Sequence, residues 1–146
     1  MTALSLAQAS MIVDEAIRHG RAKKMKPLTV TVLDAGGHMI AFKREDKSGI
    51  LRREIAEGKA WGVLGMGYGG REFARRNAIR PTFYTALAVA SGGRVMPVIG
   101  GVLVRDNAGE IVGAVGVSGD TEDNDDACAI AGIKAARLTA DNGDPA

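Results

Sequence analysis

Leu28-Thr29-Val30-Thr31-Val32-Leu33-Asp34-Ala35-Gly36-Gly37-His38-Met39-Ile40-Ala41-Phe42-Lys43 is the stretch from which the fold can be read. Its first six residues alternate and are rich in β-branched side chains, as a strand requires. Asp34 to His38 form a turn whose paired glycines accept the positive φ of a tight hairpin. Met39 to Lys43 return as the partner strand. Two strands joined by so short a turn pair antiparallel. The pattern recurs further along. Val98-Ile99-Gly100-Gly101-Val102-Leu103-Val104 is a strand, Arg105 to Glu110 a turn, and Ile111-Val112-Gly113-Ala114-Val115-Gly116-Val117 its partner, within a β unit spanning Met96 to Ser118.

Helices separate and flank these hairpins. Ser5-Leu6-Ala7-Gln8 has the form of a capping box, and Leu6, Ala9, Val13, Ala16 and Ile17 then share one face of a helix predicted over residues 5–24 and ended by Pro27. Ser48 to Gly67 reads as a second helix. Its Gly58, Gly62 and Gly65 disfavour helix by about 1 kcal/mol each, which implies that a backbone or a ligand packs close. Arg71–Asn77 and Pro81–Ala90 read as short helices. The last helix spans Thr121 to Thr139, with Glu122, Asp123, Asp125 and Asp126 at its positive end, and the tail from Asp141 reads as frayed. The order α, hairpin, helices, hairpin, α points to an α+β sandwich, one antiparallel sheet covered by helices. No repeat or linker divides the chain, so residues 1–146 read as a single domain.

Composition narrows the function classes. Hydrophobic residues make up 46% and charged residues 25%, which suits a globular chain and not a disordered one. Aromatics at 4% argue against a base-stacking platform. Eleven of 19 basic residues fall between Arg18 and Lys59, but nothing arranges them along one face, so no nucleic-acid partner is expected. No stretch is long and apolar enough to span a bilayer, and no targeting segment is visible, so the expected location is the cytoplasm, without a membrane partner. The lone Cys128 excludes an internal disulfide and any multi-cysteine metal site.

Phosphate-loop and zinc-helix signatures are missing. Gly116-Val117-Ser118-Gly119-Asp120 does not complete the G-x-S-x-G pattern of a nucleophile elbow, because Asp120 stands two after the serine, and a triad of Ser118, His38 and Asp34 has no support from spacing. The histidines are His19, near the end of the first helix, and His38, beside the glycine turn; either imidazole could ligate iron or move a proton. Gly116-Val117-Ser118-Gly119-Asp120 leads from a strand into a helix, where bare N–H groups can hold a carboxylate or phosphate; the acidic first turn that follows competes as a plain helix cap. Asp123 or Asp125 could be an acid, a base or a ligand for magnesium or calcium, although the calcium-loop pattern is missing. Lys59, on the glycine-rich helix, could contact a substrate carboxylate or simply snorkel to the surface. Trp61 reads as a core or interface anchor, and Arg75, Arg76 and Arg80 as a solvated face.

Taken together, Val32-Leu33-Asp34-Ala35-Gly36-Gly37-His38, Lys59-Ala60, Pro97-Val98-Ile99-Gly100-Gly101 and Gly113-Ala114-Val115-Gly116-Val117-Ser118-Gly119, followed by Asp125, resemble the GlcG/HbpS family of haem-binding proteins. The C-terminal domains of PduO-type corrinoid adenosyltransferases are similar. The resemblance covers nearly the whole chain. It implies a profilin-like sandwich with a central antiparallel sheet, homo-oligomers from dimers to octamers, and haem or a related tetrapyrrole as ligand.

Two functions follow. The first is a haem or tetrapyrrole binder, non-catalytic or sensory, with an apolar groove between subunits, His38 or His19 on the iron and arginines on the propionates. The second is a cofactor-independent isomerase, tautomerase or lyase acting on a small carboxylated metabolite. In it, Gly100, Gly101, Val117, Ser118 and Gly119 form the ligand cradle, Lys59 anchors the anion, and Asp125 or His38 moves the proton.

Overall fold

The computed structural model describes residues 3–145. It places α1 (Leu6–Ala22), β1 (Thr29–Asp34), β2 (Met39–Arg44), α2 (Arg52–Met66), α3 (Gly70–Ile79), α4 (Pro81–Ala90), β3 (Gly101–Arg105), β4 (Ile111–Ser118), α5 (Glu122–Ala135) and β5 (Thr139–Asp141) along the chain. The five strands form one sheet in the order β2-β1-β4-β3-β5, every neighbour antiparallel. Both expected hairpins are present, and β1 and β4 pair at the centre, Thr29 opposite Ser118 and Asp34 opposite Gly113.

Alternation along the strands divides the interior into two layers. Val30, Val32, Val102, Val104, Val115 and Val117 face α1 and α5, where Ile12, Val13 and Ile133 complete one core. Leu33, Leu103 and Ala114 face α2, whose Ala60 and Val63 join Phe73 and Tyr84 in the other. The molecule is therefore an α+β sandwich.

The capping box of α1 forms: the Ser5 hydroxyl accepts from the Gln8 N–H, and the Gln8 side chain accepts from the Ser5 N–H. The helix ends at Ala22, well before Pro27, because Lys24 takes φ +56° and the Arg21 guanidinium donates to the Met25 and Lys26 carbonyls, folding the link back. The chain from 96 to 100 is irregular, so β3 begins only at Gly101.

The C-terminal segment departs most from expectation. Instead of fraying, it leaves α5 through Arg137 at φ +62° and pairs as β5 with the edge of β3. Three arginines then hold it: Arg105 on Asp141, Arg75 on Asp144, and the backbone N–H of Arg71 on the Asn142 carbonyl. The Arg71 guanidinium also reaches Asp126, a carboxylate on the buried side of α5.

Close approach of α2 to the sheet explains the glycines of β3 and β4. A Cβ on Gly116 would collide with the Ala56 carbonyl, and one on Gly101 with the Lys59 carbonyl. Gly58 and Gly62 do the same for the segment at Val95 and Met96. Among the described residues, no helix is long and apolar enough to cross a membrane.

Candidate functional site

The fold brings together the glycines expected to cradle a ligand with Lys59 and Asp125. Lys59, in the middle of α2, sends its Nζ under the end of β4, where it donates to the Val117 carbonyl at 2.8 Å and to Asp125 Oδ2 at 3.1 Å. Asp125 Oδ1 accepts the Asp120 N–H at 3.0 Å. Burial pushes the Asp125 carboxyl above its ordinary range, against the opposing pull of the Lys59 charge and the donated hydrogen bonds. The Lys59 and Asp125 side chains are 3% and 2% exposed.

The glycine loops around this pair are filled. At Gly100, φ is +117°, and a Cβ would sit 2.7 Å from Lys59 Nζ. The Gly100 carbonyl accepts from the Val117 N–H. Ser118 is fully buried and its hydroxyl accepts from Arg52 at 3.1 Å. Gly119 lies against the Pro27 carbonyl and Leu28. At these glycines helix α2, the end of β4 and the chain before β1 lie within contact of a would-be Cβ. Lys59 does not snorkel; its charge is spent inside the protein. Glu122 and Asp123 lie in the first turn of α5, and Thr121 caps that helix through the Asn124 N–H.

The serine triad is excluded by register. Ser118 pairs with Thr29 and Asp34 with Gly113, at opposite ends of β1. Among the described residues there is no group of three or more His, Cys, Asp or Glu side chains placed to hold a metal ion.

His38 has a different setting. Asp34 Oδ1 accepts the N–H groups of Gly36 and His38, both at 2.9 Å, which closes the hairpin turn. The same carboxylate meets His38 Nδ1 at 3.1 Å. Partial burial works to raise the Asp34 carboxyl, but the backbone donors of His38 and Gly36 and the imidazole hold it below its ordinary value. Nδ1 is thereby engaged as a donor to the carboxylate, and Nε2 has no hydrogen-bond partner among the described residues. The side chain is 81% exposed.

Gly37 and Met39, on either side of His38, line a cleft of about 330 Å³ with Leu33, Gly58, Trp61 and Arg94. The Arg94 guanidinium stacks over the Trp61 ring at 3.9 Å from its centroid. Arg53, Glu54 and Glu57 edge the same cleft, with Arg53 paired to Glu57 at 2.8 Å. The sequence reading missed Trp61 and Arg94 as site residues. The available signal was Gly92-Gly93 immediately before Arg94, a loop signature on a chain with a single tryptophan. Neither histidine lines the cleft itself: His38 stands exposed on the turn beside it, and His19 is half-buried in the last turn of α1.

A family model described as "Haem degrading protein HbpS-like" matches residues 4–134. The chain belongs to this HbpS-like family. The HbpS crystal structure is 26% identical, with a TM-score of 0.78 over 92% of this chain and 90% of that one. The PduOC:heme complex has a TM-score of 0.83 at 24% identity, covering 94% and 98% of the two chains. Klebsiella pneumoniae protein ORFY has the same score and identity over 94% and 93%. The last two likenesses establish the shared fold. No curated protein sequence matches. The HbpS-like match thus runs from before α1 into the last turn of α5, and both the glycine joint and the open cleft beside the Asp34–His38 turn lie inside it.

Proposed function

We infer that this HbpS-like protein binds haem or a related tetrapyrrole, in a non-catalytic sensory or carrier role, at the cleft beside the Asp34–His38 turn. Membership of the HbpS-like family and the likeness to HbpS support haem as the ligand. The observation that carries the site is the Asp34–His38 pair. A carboxylate on Nδ1 fixes the tautomer and the ring's orientation, leaving Nε2 for iron.

The residues present fit the group. Trp61, Leu33 and Met39 offer apolar surface to a macrocycle, and Arg94 and Arg53 offer cations to propionates. Bound haem would supply an iron centre able to change oxidation state. The cleft stands at the small end of ligand sites, which run from about 300 to 1,000 Å³, so it covers part of such a ring. A second copy of the chain completes the enclosure in this reading, and Ile50, Leu51, Ile79 and Val89 are large apolar side chains left exposed for that contact. The cytoplasm, where a lone buried thiol such as Cys128 stays reduced, is the compartment that suits the chain.

The buried state of Lys59 and Asp125 gives the enzyme reading no support, since neither side chain meets solvent. Haem titration followed at the Soret band tests the proposal. Binding is expected for the native protein, with a changed spectrum in His38→Ala and an unchanged one in His19→Ala. A native spectrum in His38→Ala removes that residue as the ligand. Bleaching of the band under air with a reductant overturns the non-catalytic role.

A further inference from the structure

We propose that Arg94 is a ligand-displaced plug: it covers the face of Trp61 and, when a planar carboxylated ligand takes its place on the ring, pairs with that ligand's carboxylate. This deepens the reading above and rests on its placing the ligand in this cleft.

Three observations converge on Arg94. At 3.9 Å the guanidinium is in contact with the indole, so no second ring fits between them; a macrocycle can stack on Trp61 only by displacing Arg94. Among the described residues Arg94 has no carboxylate partner, although Glu54 and Glu57 line the same cleft; Arg53 takes Glu57 instead. The cation is therefore free to meet an acid brought by the ligand.

The third observation is how the loop divides into a fixed base and a free arm. Met96 N–H donates to the Gly58 carbonyl at 3.2 Å and Val95 is buried, which anchors the chain just after Arg94. Just before it, Gly92 and Gly93 take φ +73° and +81° with nothing within 4 Å of a would-be Cβ. Arg94 itself is exposed, so its side chain can leave the indole without disturbing either core.

The ligand class is set by this pairing: a flat aromatic ring system bearing a carboxylate within an arginine's reach of its stacking face. Iron is not required for it, which allows the plug to be tested apart from His38. Protoporphyrin IX and its dimethyl ester are titrated against native protein and Arg94→Ala, with the fluorescence of Trp61, the only tryptophan, as the signal.

In the absence of ligand, acrylamide quenching of Trp61 should rise about twofold in Arg94→Ala as the ring is uncovered. The native protein should prefer the diacid over the diester, and that preference should fall about tenfold in Arg94→Ala, the loss of one charge-assisted pair. Arg94→Lys should keep part of the preference. Equal weakening of both porphyrins, or an unchanged preference, overturns the proposal. Haem binding that depends on His38 while the Arg94 variants behave as native would overturn the plug and leave the haem site standing; no porphyrin or haem binding at all would overturn both.

Discussion

Lys59 Nζ lies 3.1 Å from Asp125 Oδ2, and the two side chains join α2 to α5 beneath the end of β4 with almost no exposure. A pair so buried adds little net stability, but losing one partner strands the other's charge, at about 3–5 kcal/mol. Lys59→Met is therefore expected to lower unfolding free energy by about that much in urea melts. The double variant Lys59→Met with Asp125→Leu should recover most of the loss, because no charge is then left unpaired. Additive losses would show that the pair is not the source.

The glycines of the sheet and helix are expected to respond in opposite directions. Gly116→Ala drives a methyl into the Ala56 carbonyl, a backbone atom that cannot yield without moving α2. A loss of about 3 kcal/mol is expected, at the upper end of overpacking costs. Gly65 is helical, exposed, and has nothing within 4 Å of its Cβ position. Gly65→Ala should gain about 0.5–1 kcal/mol from helix propensity. Thermal melts of the two variants check both signs.

These contrasts show what was legible in the sequence. The hairpin from Leu28 to Lys43 was, because alternation and a Gly36-Gly37 turn are local signals. The glycine spacing of α2 signalled close approach, but not which body approaches. That Ala56 and Lys59 meet Gly116 and Gly101 depends on residues some forty to sixty positions away. β5 was missed for a related reason. Thr139-Ala140-Asp141 is too short to show a period, and what orders it is Arg71, Arg75 and Arg105, distant in sequence. Lys59, Asp125 and His38 could be chosen by type, whereas the cleft beside His38 is built by three segments and no single one announces it.

Asp120 makes the protein's acid response asymmetric. The Lys26 N–H, the Asn124 side chain and the Thr121 N–H hold its carboxyl down to about 2. The folded value lies below the unfolded one, so the unfolded chain binds the proton first. Its contribution is full above about pH 4 and is lost as pH falls through about 2. Asp120→Asn removes that titration. The stability gap between native protein and variant is expected to be small near pH 2, to widen up to about pH 4, and then to hold constant. Asp126, raised by burial, slopes the other way but cancels in the difference, whereas Asp125, which the Asp120 charge helps to raise, adds to the gap in the same acid range. A gap independent of pH would rule out the link.

The Asp34 carboxylate has two duties, and they can be separated. It closes the turn through the Gly36 and His38 N–H groups, and it orients the His38 ring through Nδ1. Asp34→Asn keeps an oxygen for the backbone donors while removing the charged partner that holds the imidazole through Nδ1. Partners of this kind are worth about 10–100-fold in metal affinity. Asp34→Asn is therefore expected to weaken haem binding about tenfold, with thermal stability close to native. Iron-free protoporphyrin, which has no metal for the imidazole to hold, should bind the variant as it binds the native protein. If both porphyrins weaken together, the carboxylate acts on the shape of the turn and not on the iron ligand.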